Sequence, residues 1–106
     1  MTVLALAQTL GLSAASKSAD RPVTGVYCCD LLSVVMSHAP ADCAWVTVIG
    51  NVNAVAVATL ADVSCVVLAV GGCFDEAACK AAEGRVTLLH SPLPVYETAV
   101  GIGALL

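Results

Sequence analysis

Six cysteines, two histidines and eight carboxylates are the side chains of this 106-residue chain that could bind a metal, attack an electrophile or move a proton. Their spacing argues against most of that chemistry. Thiolate sites for zinc or iron–sulfur clusters favour close Cys pairs such as C-x-x-C. Here Cys28 and Cys29 are adjacent, the other cysteines are farther apart, and His38 and His90 are distant from each other in sequence. The spacing therefore predicts no metal site. Cys43 and Cys65 open apolar runs and read as small core residues. Cys79 falls in a helical segment. Cys29 and Cys73 fall near predicted strand ends, where a thiol is accessible, and are the candidates for thiol redox chemistry.

Other catalytic arrangements are thin. Ser33, Ser64 and Ser91 lack the G-x-S-x-G setting of a hydrolase nucleophile. No G-x-x-x-x-G-K-[ST] loop is present, and the "GGCFDE" segment from Gly71 has two glycines with no cation beside them. His38 precedes Pro40 on a predicted helix and reads as a surface residue. His90 ends a predicted strand and has the better functional case. Asp42 and Asp62 read as turn or cap residues. Trp45 and Tyr27 read as core, and Asp20 with Arg21 as a local ion pair pinning its loop. The residues predict no enzyme and call for no cofactor.

The elements that must position these residues recur with a strand–helix beat of about twenty residues. Apolar, strand-like runs are Thr24–Cys29, Ala44–Ile49, Ser64–Val70 and Arg85–His90. The stretch before them, with Val3, Leu4, Leu6, Ala7 and Leu10 at helical spacing, predicts a first helix that stops at Gly11. "SAAS" from Ser13 predicts a short early strand. Asp30 is expected to cap a helix with Leu31, Val34, Val35 and His38 on one face, ended by Pro40. Asp75 and Glu76 open a helix in which Glu76 and Lys80 pair, and Gly84 supplies its left-handed end. Ser91 and Pro92 are expected as cap and first residue of a last helix striped by Val95, Ala99 and Ile102.

The segment after the second strand is ambiguous. "VNAVAVA" alternates like a hairpin strand, or it is a helix capped by Asn51 or Asn53. The beat favours the helix. Being Val and Ala all round, it should be buried on most sides and is the element expected in a subunit interface.

This alternation predicts an α/β fold: a mainly parallel sheet of about four to five strands with helices packed against it, in one domain covering residues 1–106. Parallel strands end at one edge, and open α/β sheets bind ligands there. That edge should gather Asp30, Ser33, Asn51, Asn53, Gly71, Gly72, His90 and Ser91. They are the candidate ligand-binding residues, and converging helix N-termini would favour a small anion or nucleotide.

Composition narrows the partners. The chain is 59% hydrophobic and only 11% charged, against about 25% charged in an average globular protein. So few charges cannot cover a small domain's surface, which predicts self-association, most simply as a homodimer, or a protein partner. The net charge is −4, and the four cations Lys17, Arg21, Lys80 and Arg85 are scattered, which argues against nucleic acid. Cys43 to Ala61 carries no charge, but Gly50, Asn51 and Asn53 interrupt it, so no membrane span is expected. Six cysteines in a secreted chain would suggest three bridges, but the N-terminus lacks the positive region of a signal peptide, which predicts a reducing cytoplasm.

The segments "DRPVTGVYCCDLLSVVM" and "WVTVIGNVNAVAVATLADVSCVVLA" together resemble the DRTGG domain family. Asp20, Arg21, Thr24 and Gly25 stand where its name-giving residues are expected. Asp30–Ser33, Asn51–Ala58 and the acidic start at Asp75 and Glu76 resemble its single-domain members. The resemblance runs from the first helix to about Tyr96. Val26 replaces the motif's second glycine, and Pro22 sits within the loop. The resemblance implies a fold similar to the N-terminal domain of HPr kinase/phosphorylase. Related domains accompany CBS domains in regulated pyrophosphatases and occur in phosphotransacetylases, where they are regulatory or structural and can pair across a dimer. Single-domain relatives often carry a serine-kinase-like label, which without a phosphate-binding loop would not imply kinase activity. The expectation is a non-catalytic, dimeric regulatory or ligand-sensing module, with a purely structural interaction module or a small thiol-redox protein as alternatives.

Overall fold

The computed structural model describes residues 1–106. Ten elements follow in order: α1 (Val3–Leu10), β1 (Ser13–Ser16), β2 (Gly25–Cys28), α2 (Leu32–His38), β3 (Cys43–Thr47), α3 (Val52–Ala61), β4 (Cys65–Leu68), α4 (Glu76–Ala82), β5 (Thr87–His90) and α5 (Val95–Gly103). The five strands form one sheet in the order β1-β5-β4-β3-β2. β2 to β5 are parallel, and β1 pairs antiparallel with β5 at one edge. The expected mainly parallel α/β architecture is thus present, including the short early strand. No helix is long and apolar enough to cross a membrane.

Side chains alternate along each strand, so each central strand feeds two cores. Trp45, Val66, Leu68 and Leu88 face α2, α3 and α4, and meet Val35, Val55, Ala58 and Ala78. Ala44, Val46, Val67 and Leu89 face the other way and meet Val3 and Leu6 of α1 and Ile102 of α5. Trp45 is fully buried, and its indole N–H donates to the Cys29 carbonyl at 2.9 Å. Val95 and Ala99 pack beside Ile102, as the stripe on that helix predicts.

Val52–Ala61 forms a helix capped by Asn51. The Asn51 side chain accepts from the Ala54 amide at 3.0 Å, which satisfies one of the orphan donors of the first turn. Asp75 caps α4 in the same way through Ala78, and Glu76 and Lys80 pair at 3.1 Å. Left-handed residues Gly11 (φ 67°) and Gly84 (φ 74°) follow α1 and α4.

Four local expectations need correction. Asp30 does not cap α2; Leu31 occupies that position without a side-chain bond, because the Asp30 carboxylate is engaged by β3. The buried face of α2 runs through Leu32, Val35 and Ala39, leaving Leu31 and His38 exposed. Ser91 is not a cap either, since α5 starts at Val95 after Pro94. Finally, α3 is not buried on most sides: Ala54, Val55 and Ala58 are buried, whereas Val52, Asn53, Ala56, Thr59 and Leu60 are exposed.

The loop from Lys17 to Thr24 crosses the edge where the parallel strands begin. Arg21 anchors it. Its guanidinium donates to the Asp42 carboxylate at 2.6 Å, the Asp62 carboxylate at 3.0 Å, and the carbonyls of Asp62 and Val63 at 3.1 Å each. The ion pairs therefore reach the turns before β3 and β4, not the adjacent Asp20. Asp20 instead accepts from the amides of Leu4 and Arg21. Asp42 and Asp62 are turn and cap residues as expected, both left-handed, at φ 63° and 60°. Aspartate tolerates that backbone better than most residues and also supplies the carboxylate. Burial opposes the Arg21 charge, but the two carboxylates outweigh it and raise its pKa. Replacing Arg21 with Met keeps the stem and removes the donors. We expect a loss of about 2 kcal/mol in urea unfolding with an unchanged m-value.

Candidate functional site

The strand ends do converge at the expected edge, and three local arrangements join them. The first links β2 to β3. Asp30 accepts from the Thr47 hydroxyl at 2.7 Å and from the Val48 amide at 3.0 Å. Thr47 is fully buried, so Asp30 satisfies a hydroxyl that would otherwise be stranded.

The second links β3 to β4. The Val48–Asn51 turn lies directly on the chain at Gly72–Phe74. A Cβ on Gly50 would stand 2.1 Å from the Cys73 carbonyl oxygen, and one on Gly72 would stand 2.8 Å from the Val48 carbonyl oxygen. The Asp75 amide donates to the Gly50 carbonyl at 3.1 Å. Gly71 (φ 98°) turns the chain after β4 with a backbone that L side chains rarely adopt.

The third arrangement involves β5. The His90 ring meets Phe74 edge to face, centroids 5.1 Å apart. The Ser91 amide donates to Leu68. The Ser91 hydroxyl turns away from the edge and toward α5, where it lies 2.7 Å from Thr98 Oγ1 and accepts from the Leu93 amide at 3.1 Å.

The candidate residues therefore separate into groups. Asp30, Gly71, Gly72 and Ser91 are engaged in holding or turning the strand ends, together with Gly50. Asn51 is exposed but spends its side-chain oxygen on the helix. Asn53 and Ser33 are exposed, and their side chains bond nothing in the chain. His90 is half-buried against Phe74. Sequence reasoning missed Thr47 and Thr98. The motif residues Arg21, Thr24 and Gly25 sit at the opposite edge.

Only the smallest cavity of the fold touches one of these strand ends, at Ser91 just after β5. The largest, about 280 Å³, runs between α3 and α4 past Val52, Ala56, Thr59, Leu60, Ala81 and Arg85. One of about 170 Å³ lies under α1 beside Lys17, Asp20 and Thr87, and one of about 40 Å³ lies where α1 approaches α5. All are below the roughly 300–1,000 Å³ of most ligand pockets. Strand order accounts for this. From β2 to β5 each new strand is added on the same side, so the order never reverses within the parallel part. The crevice of an open α/β sheet forms at such a reversal.

All six cysteines are free. Cys43 and Cys65 are core residues, and burial pushes their thiols up to about 11 and about 12 respectively. Burial, then the Asp30 carboxylate, also raises the Cys28 thiol. Cys29 is half-buried, and its sulfur accepts from the Leu31 amide at 3.4 Å; Cys73 is exposed. No three His, Cys, Asp or Glu side chains come together closely enough to hold a metal ion. No protein-family model matches the chain, and no curated protein matches it.

Three experiments follow from these placements. Gly50→Ala should cost about 3 kcal/mol because the Cys73 backbone must move. Asn51→Ala should cost about 1 kcal/mol and Asn53→Ala under about 0.5 kcal/mol, all read from chemical unfolding. Thiol labelling at about pH 7.5 should modify Cys73 and spare Cys43 and Cys65 until the chain unfolds. The raised thiols also set a pH dependence. Between the ordinary value of 9.0 and about 11 to 12, the folded state holds protons that the unfolded state releases. Stability is intact below that window and falls as pH rises through it, which a melting-temperature series from about pH 8 to pH 11 measures.

Proposed function

We propose that this protein is a non-catalytic regulatory module that works by association, forming a homodimer through its uncovered apolar surface. The observation that carries this reading is the exposure of large hydrophobic side chains. Leu31 is 60% exposed, Leu60 71% and Tyr96 74%, with Met36, Val52, Val70, Leu93 and Val100 also in solvent. Scattered exposed apolar residues are ordinary. Here they accompany only twelve charged side chains in 106 residues, too few to interrupt the apolar surface between them. The resemblance to DRTGG domains, which can pair across a dimer in regulated enzymes, agrees with this role. A catalytic role has less support, since most of the polar residues at the strand ends are engaged in holding the fold.

A second reading, sensing of a small anion or nucleotide at the C-terminal edge, is favoured by one observation. Asn53 in the first turn of α3 and Ser33 in the first turn of α2 are exposed without side-chain partners. Light scattering after gel filtration should return twice the mass of the chain at about 50 μM, and a clean monomer would contradict association. A thermal-shift screen with nucleotides and inorganic phosphate tests the second reading. Stabilisation that is lost in Asn53→Ala supports it, and no shift with any of them counts against it.

A further inference from the structure

The two edges of the sheet are built differently. β1 runs antiparallel to β5, shifts register between Ala14 and Ser16, and leads straight into Lys17. Irregular pairing and an adjacent lysine are devices that end a sheet and discourage further strands. β2 has neither. It keeps parallel register with β3 from Gly25↔Cys43 to Cys28↔Val46 without a shift. Its sequence, Gly-Val-Tyr-Cys, contains no charge and no proline. Apart from the ladder to β3, no backbone group of Gly25–Cys28 is hydrogen-bonded within the chain. β2 has the character of an interior parallel strand, apolar toward both layers. Val26 packs against the α1/α5 core and Tyr27 against the α2–α4 core.

Uncovered apolar side chains flank this edge on both faces. α5 lies against β2 and β3 on one face and exposes Tyr96 and Val100. α2 follows β2 after residues 29–31 on the other face, and Leu31 and Met36 are exposed there. β2 and α2 contain no Asp, Glu, Lys or Arg, and α5 contains only Glu97. Two copies of a chain with a net charge of −4 repel each other, so they meet most easily where charge is absent. The α3–α4 groove is less suited to this, because α4 and its flanks carry Asp75, Glu76, Lys80, Glu83 and Arg85.

We propose that β2 is the seam of the homodimer. β2 of a second copy adds antiparallel to it about a two-fold axis perpendicular to the sheet, giving one continuous sheet. The α2 helices then meet on one face and the α5 helices on the other. A strand filling this edge must be apolar on both faces and uncharged, and β2 of the second copy meets both requirements. This inference rests on the association reading above and adds its geometry.

The test separates the two. Cys28→Lys places like charges across the seam and should raise the dimer dissociation constant at least about tenfold in sedimentation equilibrium, with an unchanged circular dichroism spectrum. Leu60→Lys, on the outer face of α3, should leave it unchanged. In the wild-type protein, amide exchange at Gly25–Cys28 should slow as concentration rises, which decides the matter even where Cys28→Lys does not fold. A dimer that Leu60→Lys dissociates and Cys28→Lys does not, or a dimer whose Gly25–Cys28 amides exchange as fast as in the dilute protein, overturns the seam while association stands. A wild-type monomer overturns both.

Discussion

A parallel sheet has to bury both of its faces, and that requirement shapes the rest of this protein. Each central strand presents apolar side chains in two directions: Cys43 and Trp45 against Ala44 and Val46 in β3, Val66 and Leu68 against Cys65 and Val67 in β4. Two helical layers are then needed. α2, α3 and α4 supply one because successive right-handed crossovers put them on the same side. The other comes from the ends of the chain, with α1 and α5 folded back across the sheet. The demand for apolar residues on so many surfaces explains a composition that is 59% hydrophobic and 11% charged. It also explains why hydrophobic side chains remain on the outside of short helices that have no further layer to cover them.

The same winding shapes the edge where ligand binding was expected. Strands added always on one side bring their ends together without parting them. The turn after β3 rests on the chain after β4 so closely that Gly50 has no room for a side chain. Asp30 stitches β2 to the buried hydroxyl of Thr47, and Ser91 points into the support of α5 through Thr98. Polar residues at strand ends thus serve the fold first. At the opposite edge, Arg21 performs the corresponding task by holding the turns before β3 and β4.

What was legible in the sequence was whatever depends on near neighbours. The strands were visible because β-branched and apolar runs are bounded by turn residues, and Asn51 and Asp75 because a cap bonds an amide three residues ahead. Glu76 with Lys80 is likewise local. Two of the failures, Asp30 and Arg21, share one cause, a partner far along the chain. Asp30 looked like a cap, yet its partner lies 17 residues away in β3; Arg21 seemed paired with its neighbour, yet its carboxylates are 21 and 41 residues away. The absence of a sizeable cavity at the strand ends was hidden for the same reason, since strand order cannot be read from any single segment. The exposed face of α3 was hidden too. A helix of Val and Ala shows no polar side, so only its neighbours α2 and α4 decide which residues are covered.

Association is the central claim, and its most direct test needs neither label nor variant. A fold that covers apolar surface by pairing is stabilised by mass action, so its melting temperature depends on protein concentration. Calorimetry or circular dichroism between about 1 and 200 μM should show the midpoint rising steadily with concentration. A midpoint that stays constant across that range would mean that the exposed apolar surface is left uncovered in solution, and would contradict the account.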